Sequence, residues 1–276
     1  DIYSFGRQNW FDTVGEEHKA CREAAVLFDQ TSFAKFTLKG PDAEAALSWI
    51  AANDVAKPVG SIIYTQMLND RGGIECDLTA VRVAKDEYYI VTGPGQATHE
   101  FDWLSRTIPH GMTAHPVALT SSSTPPPLIA PPSRDILQSI TRDDISNESF
   151  PFGTARTIGI AGCPVRAMRV TYVGELGWEL HLPVEYATTV YDALMQAGQP
   201  PGLRHARHRA LARPRLETPH PACLPDIAPH HTPPSPRLAS PFLPHHTSSA
   251  TRRPPHHHRR PPVTHTHLRS PPTPPA

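Results

Sequence analysis

The sequence predicts an α+β fold with antiparallel sheets, followed by a disordered tail. Strand patterns and helix patterns mix without a regular βαβ order, and tight turns join consecutive strands, which favours antiparallel pairing. A change in composition marks the tail. Residues 199–276 hold 20 of the 33 prolines, 12 of the 17 histidines and 11 arginines. We therefore place the boundary between the folded body and the tail at residue 198.

The two parts also differ in charge and in their capacity to form a core. Residues 1–198 carry 24 acidic and 15 basic side chains, whereas 199–276 contains no lysine and only Glu217 and Asp226 as acids. The body is long enough to bury a core. The tail lacks that capacity, because its prolines fix φ and remove backbone donors and Phe242 is its only aromatic residue. We expect 199–276 to be disordered and of low complexity.

Helix and strand patterns alternate over the first 107 residues. The second helix has Pro41 near its start and Asp42 in its first turn, and Asn69 to Gly73 form a turn between two strands. In chain order we predict a helix over 12–27, a strand over 34–39, a helix from Gly40, strands over 61–68, 74–83 and 87–92, and a helix over 96–107.

A proline-rich stretch over 116–132 interrupts this pattern, and its prolines argue against a central strand. The body is therefore predicted to be disrupted there. Gly198 suits the residue that follows a helix. After the break we predict a helix from Ser133, a hairpin of 165–172 with 178–182, and a helix over 184–197.

Composition excludes several classes of protein. No apolar run is long enough for a transmembrane helix, so we expect no membrane partner. No targeting segment is recognisable, and because the chain begins at Asp1 we expect a fragment. Four scattered cysteines without CxxC spacing predict isolated reduced thiols. His256-His257-His258 lacks the spacing of a structural zinc site, so we predict no metal site and no specific nucleic-acid partner.

Spacing places several polar side chains on strand faces without deciding their roles. Asp77 lies on the polar face of its predicted strand, and Glu179 and His181 share a face opposite Trp178. Each carboxylate is either solvated or in contact with a ligand. Tyr172 is either a core aromatic with a satisfied hydroxyl or part of a binding pocket.

Two motifs carry a family resemblance. Residues 171–180 and 72–78 resemble the signature of the aminomethyltransferase (T-protein) family of folate-binding proteins, in the family's order. Residues 4–112 and 133–198 resemble the folate-binding half of the sarcosine and dimethylglycine dehydrogenases, and sarcosine dehydrogenase most. The segments that carry it include Glu16-Glu17-His18-Lys19-Ala20-Cys21-Arg22-Glu23, Gly72-Gly73-Ile74-Glu75-Cys76-Asp77-Leu78 and Gly174-Glu175-Leu176-Gly177-Trp178-Glu179-Leu180.

The resemblance implies an incomplete T-protein-like fold that binds tetrahydrofolate and transfers a one-carbon unit in the mitochondrial matrix. By motif position, Asp77 is the catalytic carboxylate, Glu179 holds the pterin and Tyr172 lines the same pocket. In such enzymes an N-terminal flavin domain oxidises sarcosine or dimethylglycine, and the one-carbon unit leaves as 5,10-methylenetetrahydrofolate. This chain has no Gly-x-Gly-x-x-Gly motif, so FAD and amine oxidation are expected only in an upstream domain.

The sequence also departs from the family. Val81 stands where the T-protein has a tyrosine, and Ala210-Leu211-Ala212 aligns with the segment that supplies a folate-binding arginine. Retained intron or frameshifted sequence would explain 119–132 and the tail, and a genuine linker and tail is the alternative. Two other functional interpretations stay open: a regulatory module like that of pyruvate dehydrogenase phosphatase, and a product too incomplete to fold.

Overall fold

The computed structural model describes residue 2, residues 4–207 and residues 209–210. Five α-helices and twelve β-strands lie in these residues, and the strands form two sheets, which confirms the predicted α+β fold with antiparallel sheets. The helices are α1 (Phe11–Glu23), α2 (Ala43–Ile50), α3 (Ala97–Thr107), α4 (Ser133–Ile140) and α5 (Ala187–Ala197). The strands are β1 (Ala25–Phe28), β2 (Ala34–Lys39), β3 (Ile62–Leu68), β4 (Ile74–Ala84), β5 (Glu87–Thr92), β6 (His115–Ala118), β7 (Ser123–Thr124), β8 (Pro127–Ile129), β9 (Ala155–Ile160), β10 (Cys163–Met168), β11 (Gly177–Pro183) and β12 (Leu203–Ala206).

The smaller sheet contains five strands in the order β3-β4-β5-β2-β6, and every neighbouring pair is antiparallel. Burial alternates along β3 and β4, because one face of each strand is apolar. Helices α2 and α3 cover that face, where Leu47 and Leu104 share a core with Ile63 and Leu78. The opposite face of β4 carries Asp77.

The larger sheet runs β12-β1-β8-β11-β10-β9, with the short β7 paired to β11. β1 and β12 are parallel, and the other pairs are antiparallel. Helices α4 and α5 pack on one face, where Leu137 and Leu194 share a core with Trp178 and Leu180. Helix α1 packs through Cys21 against the other face of β1.

A further apolar cluster lies where the two sheets meet. Val81, Tyr89 and Val91 of the smaller sheet pack with Ala155 and Met168 of the larger sheet. Val81 is almost completely buried there, so the residue that replaces the family's tyrosine contributes to packing between the sheets. The strand faces that carry the candidate site residues therefore turn toward this contact.

The predicted disruption over 116–132 is wrong. β6, β7 and β8 all lie in this segment, and β8 is a central strand that pairs with both β1 and β11. Pro127 is the first residue of β8, where a missing backbone N–H is tolerated. Leu128 and Ile129 follow it in register with both neighbouring strands. The prolines around β8 thus lie at its start and beyond its end and do not interrupt its pairing.

Besides the strands of the 116–132 segment, β1, β9 and β12 lie outside the predicted strands. Helix α1 ends at Glu23, short of the predicted end at residue 27, and β1 follows it with all four residues buried. A strand buried on both faces shows no alternation, so its pattern is easily assigned to a helix.

The predicted boundary at 198 also lies too early, because β12 extends the larger sheet to Ala206. Gly198 follows α5 as predicted, and a Cβ at this position would lie 2.3 Å from the Cβ of Leu203. Glycine is therefore needed here so that β12 can approach the end of the helix. The predicted tail from residue 211 onward lies outside the described residues.

Candidate functional site between the two sheets

Asp77 lies on the face of β4 that the helices leave uncovered. Residues Cys76 and Leu78 on either side of it point into the core under α2 and α3, so Asp77 points to the other face and is partly exposed. The predicted placement of Asp77 on the polar face of a strand is confirmed. That face is the one that carries Val81 into the contact with the larger sheet.

Two hydroxyl groups hold Asp77. The phenol of Tyr64 on β3 donates a hydrogen bond to Oδ2 of Asp77 at 2.8 Å. The hydroxyl of Thr92 donates to the backbone oxygen of Asp77 at 3.0 Å. Burial and the negative charge of Asp77 raise the pKa of Tyr64, so the phenol keeps its proton and remains a donor.

A second carboxyl group, Glu100 on α3, lies close to Asp77 and is 3% exposed. Burial, opposed by a hydrogen bond with Thr92 and reinforced by the charge of Asp77, raises the pKa of Glu100 to about 8. Glu100 is therefore mostly protonated at neutral pH. A neutral Glu100 spares Asp77 the repulsion of a second negative charge.

Tyr172 lies in the loop between β10 and β11, not on a strand as predicted. The predicted hairpin itself is present, because β10 and β11 pair antiparallel, but β10 ends at Met168. Beyond Met168 the pairing with β11 stops, because Arg169 exchanges backbone hydrogen bonds with Gly153 and Thr154, just before β9. The ring of Tyr172 meets Phe33 edge to face, and its proximity contributes to the raised pKa of Tyr64. The fold thus brings Tyr172 to the same place as Tyr64 and Asp77.

Glu179 and His181 share a face of β11, as predicted, but this face is not solvated. They are 8% and 3% exposed, because the smaller sheet covers them. Nε2 of His181 lies 3.2 Å from Oε2 of Glu179, and Nδ1 of His181 lies 2.9 Å from the phenol oxygen of Tyr89 on β5. Glu179 is therefore held by contacts separate from those of Asp77. The solvated interpretation of Glu179 is wrong.

Sequence reasoning missed Tyr64, Glu100 and Tyr89. Tyr64 has a readable signal, because it stands opposite Thr79 in the β3-β4 pair and so shares a face with Asp77. Glu100 stands one helical turn from Leu104, which places it toward the sheet. Tyr89 has no local signal, since its role depends on a contact between two sheets.

Other kinds of site are not found in the described part of the chain. No group of three or more metal-ligating side chains occurs among the described residues. No described helix combines the length and apolar character needed to cross a membrane. Cys21, Cys76 and Cys163 are free and buried, as expected for isolated thiols. Two surface clefts of about 450 and 480 Å³ lie around Thr31 and Arg142, and neither is lined by Asp77 or Glu179.

Residues 2–240 match the family described as the GCVT N-terminal domain. Human mitochondrial sarcosine dehydrogenase is 41% identical over 76% of this chain and 24% of its own length. The mouse mitochondrial regulatory subunit of pyruvate dehydrogenase phosphatase is 34% identical over 78% of this chain and 25% of its own length. The chain thus spans about a quarter of the length of these curated relatives.

A solved structure shows the same fold. The glycine cleavage system aminomethyltransferase T from Bartonella henselae superimposes with a TM-score of 0.69 at 26% sequence identity. The alignment covers 80% of this chain and 58% of that protein. The two-sheet arrangement that positions the carboxylates therefore occurs in an aminomethyltransferase.

Proposed function

The chain belongs to the GCVT N-terminal domain family, and on this premise we propose that it is the tetrahydrofolate-binding, one-carbon-transferring portion of a sarcosine dehydrogenase-like enzyme. The observation that supports this most is the grouping of Asp77 with Tyr64 and Tyr172 at the contact between the sheets. Glu179 faces the same contact from the larger sheet.

The chemistry of these side chains fits a reduced folate. The pterin ring presents adjacent N–H donors, and one carboxylate such as Glu179 can accept two parallel hydrogen bonds from such a pair. Tyr172 offers an aromatic wall beside Phe33. Tetrahydrofolate, when bound, supplies the nitrogens that receive the one-carbon unit.

Asp77 would act on the reacting nitrogens. Its carboxylate is partly exposed and can therefore meet a ligand, while Tyr64 fixes the position of Oδ2. A fixed negative charge stabilises a cationic transition state, and a carboxylate can also take up the proton of the folate N10. Glu100 stays mostly protonated at neutral pH, so Asp77 is the carboxyl group suited to this role.

The remaining chemistry belongs to other parts of a longer protein. The curated relatives are about four times as long as the matched segment. We assign the oxidation of sarcosine or dimethylglycine, and the FAD that it needs, to an upstream flavin domain. The product of the combined reaction would be 5,10-methylenetetrahydrofolate. Because several relatives are named as mitochondrial proteins, we place the complete enzyme in the mitochondrial matrix.

A second candidate function is a non-catalytic regulatory module. It is supported by the 34% identity to a regulatory subunit of pyruvate dehydrogenase phosphatase. Asp77 and its Tyr64 hydrogen bond favour the first candidate, because a regulatory surface has no need of a carboxylate fixed in this way. Co-purification with a phosphatase in the absence of folate affinity would support the second.

Titration of the full chain with tetrahydrofolate tests the proposal. We expect Glu179→Gln to weaken binding about tenfold, because hydrogen bonds to a charged group contribute roughly 1.5–3 kcal/mol. We expect Asp77→Asn to weaken binding less and to abolish one-carbon transfer once a flavin domain is supplied. Glu75→Gln is the matched control, since Glu75 lies on the same face of β4 but binds Asn69. Unchanged affinity in both the Glu179 and the Asp77 variants would contradict the assigned roles.

A further inference from the structure

We propose that His181 and Tyr89 are positioning residues for Glu179. Together they hold its carboxylate in one orientation at the contact between the sheets, where it can accept the N–H donors of a bound pterin. This inference rests on the proposed function and specifies what the site requires of its glutamate.

The three side chains form a continuous line across the two sheets. Glu179 and His181 lie two residues apart on β11, and Tyr89 lies on β5 of the other sheet. The distances are 3.2 Å from Glu179 Oε2 to His181 Nε2 and 2.9 Å from His181 Nδ1 to the Tyr89 oxygen. The Tyr89 and His181 rings also meet edge to face, with centroids 5.3 Å apart. The orientation of Glu179 thus depends on a residue of the opposite sheet.

The direction of each hydrogen bond follows from the chemistry. Burial lowers the pKa of His181, which keeps its ring neutral, with one N–H and one acceptor nitrogen. The carboxylate of Glu179 only accepts, so the N–H must be at Nε2. Nδ1 is then an acceptor, and the phenol of Tyr89 must donate to it. Burial raises the pKa of Tyr89 to about 12, so the phenol keeps the proton that this requires.

Groups from three other strands complete the surroundings of His181 and Tyr89. Arg166 on β10 pairs with His181 and places its guanidinium 4.5 Å from the centroid of the Tyr89 ring. Ser123 on β7 hydrogen-bonds with Tyr89. The positive charges of Arg166 and of Lys35 on β2 also lower the pKa of His181, whereas the negative charge of Glu179 raises it. Both positive charges therefore favour a neutral ring.

The arrangement leaves part of the carboxylate available. Among the residues that the structure describes, the one hydrogen bond of the Glu179 carboxylate is that to His181. An ionised carboxylate has about four acceptor sites on its two oxygens. Oε1 can therefore accept from a ligand while Oε2 remains bound to His181. An apolar side chain at the position of Glu179 would cost less free energy of folding than a buried carboxylate. The carboxylate is therefore explained if it binds a ligand.

Affinity measurements on the full chain separate positioning from packing. We expect His181→Leu, which keeps an apolar side chain of moderate size, to weaken tetrahydrofolate binding about tenfold. His181→Gln retains an N–H donor and should restore part of that affinity. Tyr89→Phe should weaken binding severalfold, and its effect should not add to that of Glu179→Gln. Tyr88→Phe is the matched control, because Tyr88 lies on the opposite face of β5 from Tyr89. Its buried hydroxyl donates to the backbone oxygen of Val55, and loss of that hydroxyl should not change the affinity for tetrahydrofolate.

A spectroscopic measurement tests the hydrogen-bond line without a ligand. In the chain labelled with ¹⁵N-histidine, the ring signals that disappear in His181→Gln should show a neutral ring with its proton at Nε2. Tyr89→Phe should shift them, and Tyr88→Phe should not. A proton at Nδ1, or a charged ring at pH 7, would overturn the inference.

The two proposals fail in different ways. If tetrahydrofolate does not bind the unsubstituted chain, the proposed function falls and this inference loses its ligand. If Glu179→Gln weakens binding while His181→Leu and Tyr89→Phe leave affinity unchanged, the inference alone is overturned.

Discussion

The two sheets hold the two halves of the candidate site in different ways. In the smaller sheet, Asp77 and Tyr64 lie 13 residues apart on adjacent strands of one hairpin. In the larger sheet, Glu179 depends on His181, whose phenol partner Tyr89 is 92 residues away in sequence. Local pairing can form the Asp77 half early, whereas the Glu179 half requires the complete fold. Asp77 and Glu179 should therefore respond differently to substitutions that disrupt the fold.

Leu128→Ala should have the largest effect, because it destabilises the larger sheet and leaves the smaller sheet unchanged. Leu128 is completely buried in β8, between β1 and β11. Removing such a side chain costs about 2–5 kcal/mol of the free energy of unfolding, because it leaves a cavity. Urea denaturation measures the loss. The ¹⁵N signals of His181 should change at a lower urea concentration than the ¹⁵N signals of residues in the smaller sheet.

The matched control is Val117→Ala on β6, an edge strand of the smaller sheet where Val117 is 48% exposed. This change should alter the free energy of unfolding by less than about 0.5 kcal/mol. Equal effects of the two substitutions would mean that β8 is not a central strand and that the segment 116–132 is disrupted after all.

Glu100 makes the smaller sheet sensitive to pH. Its pKa in the fold is about 8, above the ordinary value of 4.5, so the folded chain keeps a proton that the unfolded chain releases. Stability contributed by the neutral form is complete below pH 4.5 and is lost as the pH rises toward 8. We expect a decrease of about 2–4 kcal/mol over that interval in the unsubstituted chain.

Glu100→Gln should remove most of this decrease, because glutamine does not ionise. Urea denaturation at pH 5 and pH 7.5 measures it, and the comparison with the unsubstituted chain cancels the contribution of Lys35, whose pKa is lowered to about 8. Glu75 on β4 is partly exposed, so Glu75→Gln should keep the dependence of unfolding free energy on pH that the unsubstituted chain shows. The same slope in Glu100→Gln would contradict the assignment.

The connections of the larger sheet contain two alanines with positive φ, and the backbone at these positions is strained. Ala130, directly after β8, has a φ of 128°, in a region that favours glycine. Ala130→Gly should raise the free energy of unfolding by about 1 kcal/mol, since strain relief of roughly 1–3 kcal/mol exceeds the lost methyl contact.

A rise in Tm would confirm the relief of strain. Ala161→Gly serves as the comparison, because Ala161 has a φ of 50° but is exposed between β9 and β10. Its gain should be smaller. A lower Tm for Ala130→Gly would show that the alanine methyl group contributes more through packing than it costs in strain.

The sequence indicated one half of the site better than the other, and for a physical reason. Alternation along β4 placed Asp77 on the correct face, because that strand has one apolar and one polar face. Alternation also placed Glu179 on the face of β11 opposite Trp178. It did not show that this face is buried, because the strand that covers it is β5 of the other sheet. Local patterns do not report which distant strand will pack against a face. Resemblance singled out both carboxylates, and only the fold shows what holds them.

Two strands, β1 and β8, were missed in the sequence for the same reason: local patterns do not report the neighbouring strands. β1 is buried on both faces and has no alternation, and β8 follows a run of prolines. Both are recognised as strands only through their neighbours in the larger sheet. Periodicity describes a strand with two different faces, and neither of these strands is of that kind.

The parallel pairing of β1 with β12 sets a delay during synthesis. Leu203 is made 178 residues after its partner Ala25. At roughly 5–20 residues per second, the ribosome needs roughly 10–40 s to supply that partner. The smaller sheet is complete at Ala118, and β8 can then pair with one edge of β1, whereas the other edge stays unpaired until β12 is made. We expect this unpaired apolar edge to be the part of the nascent chain most exposed to aggregation during that interval.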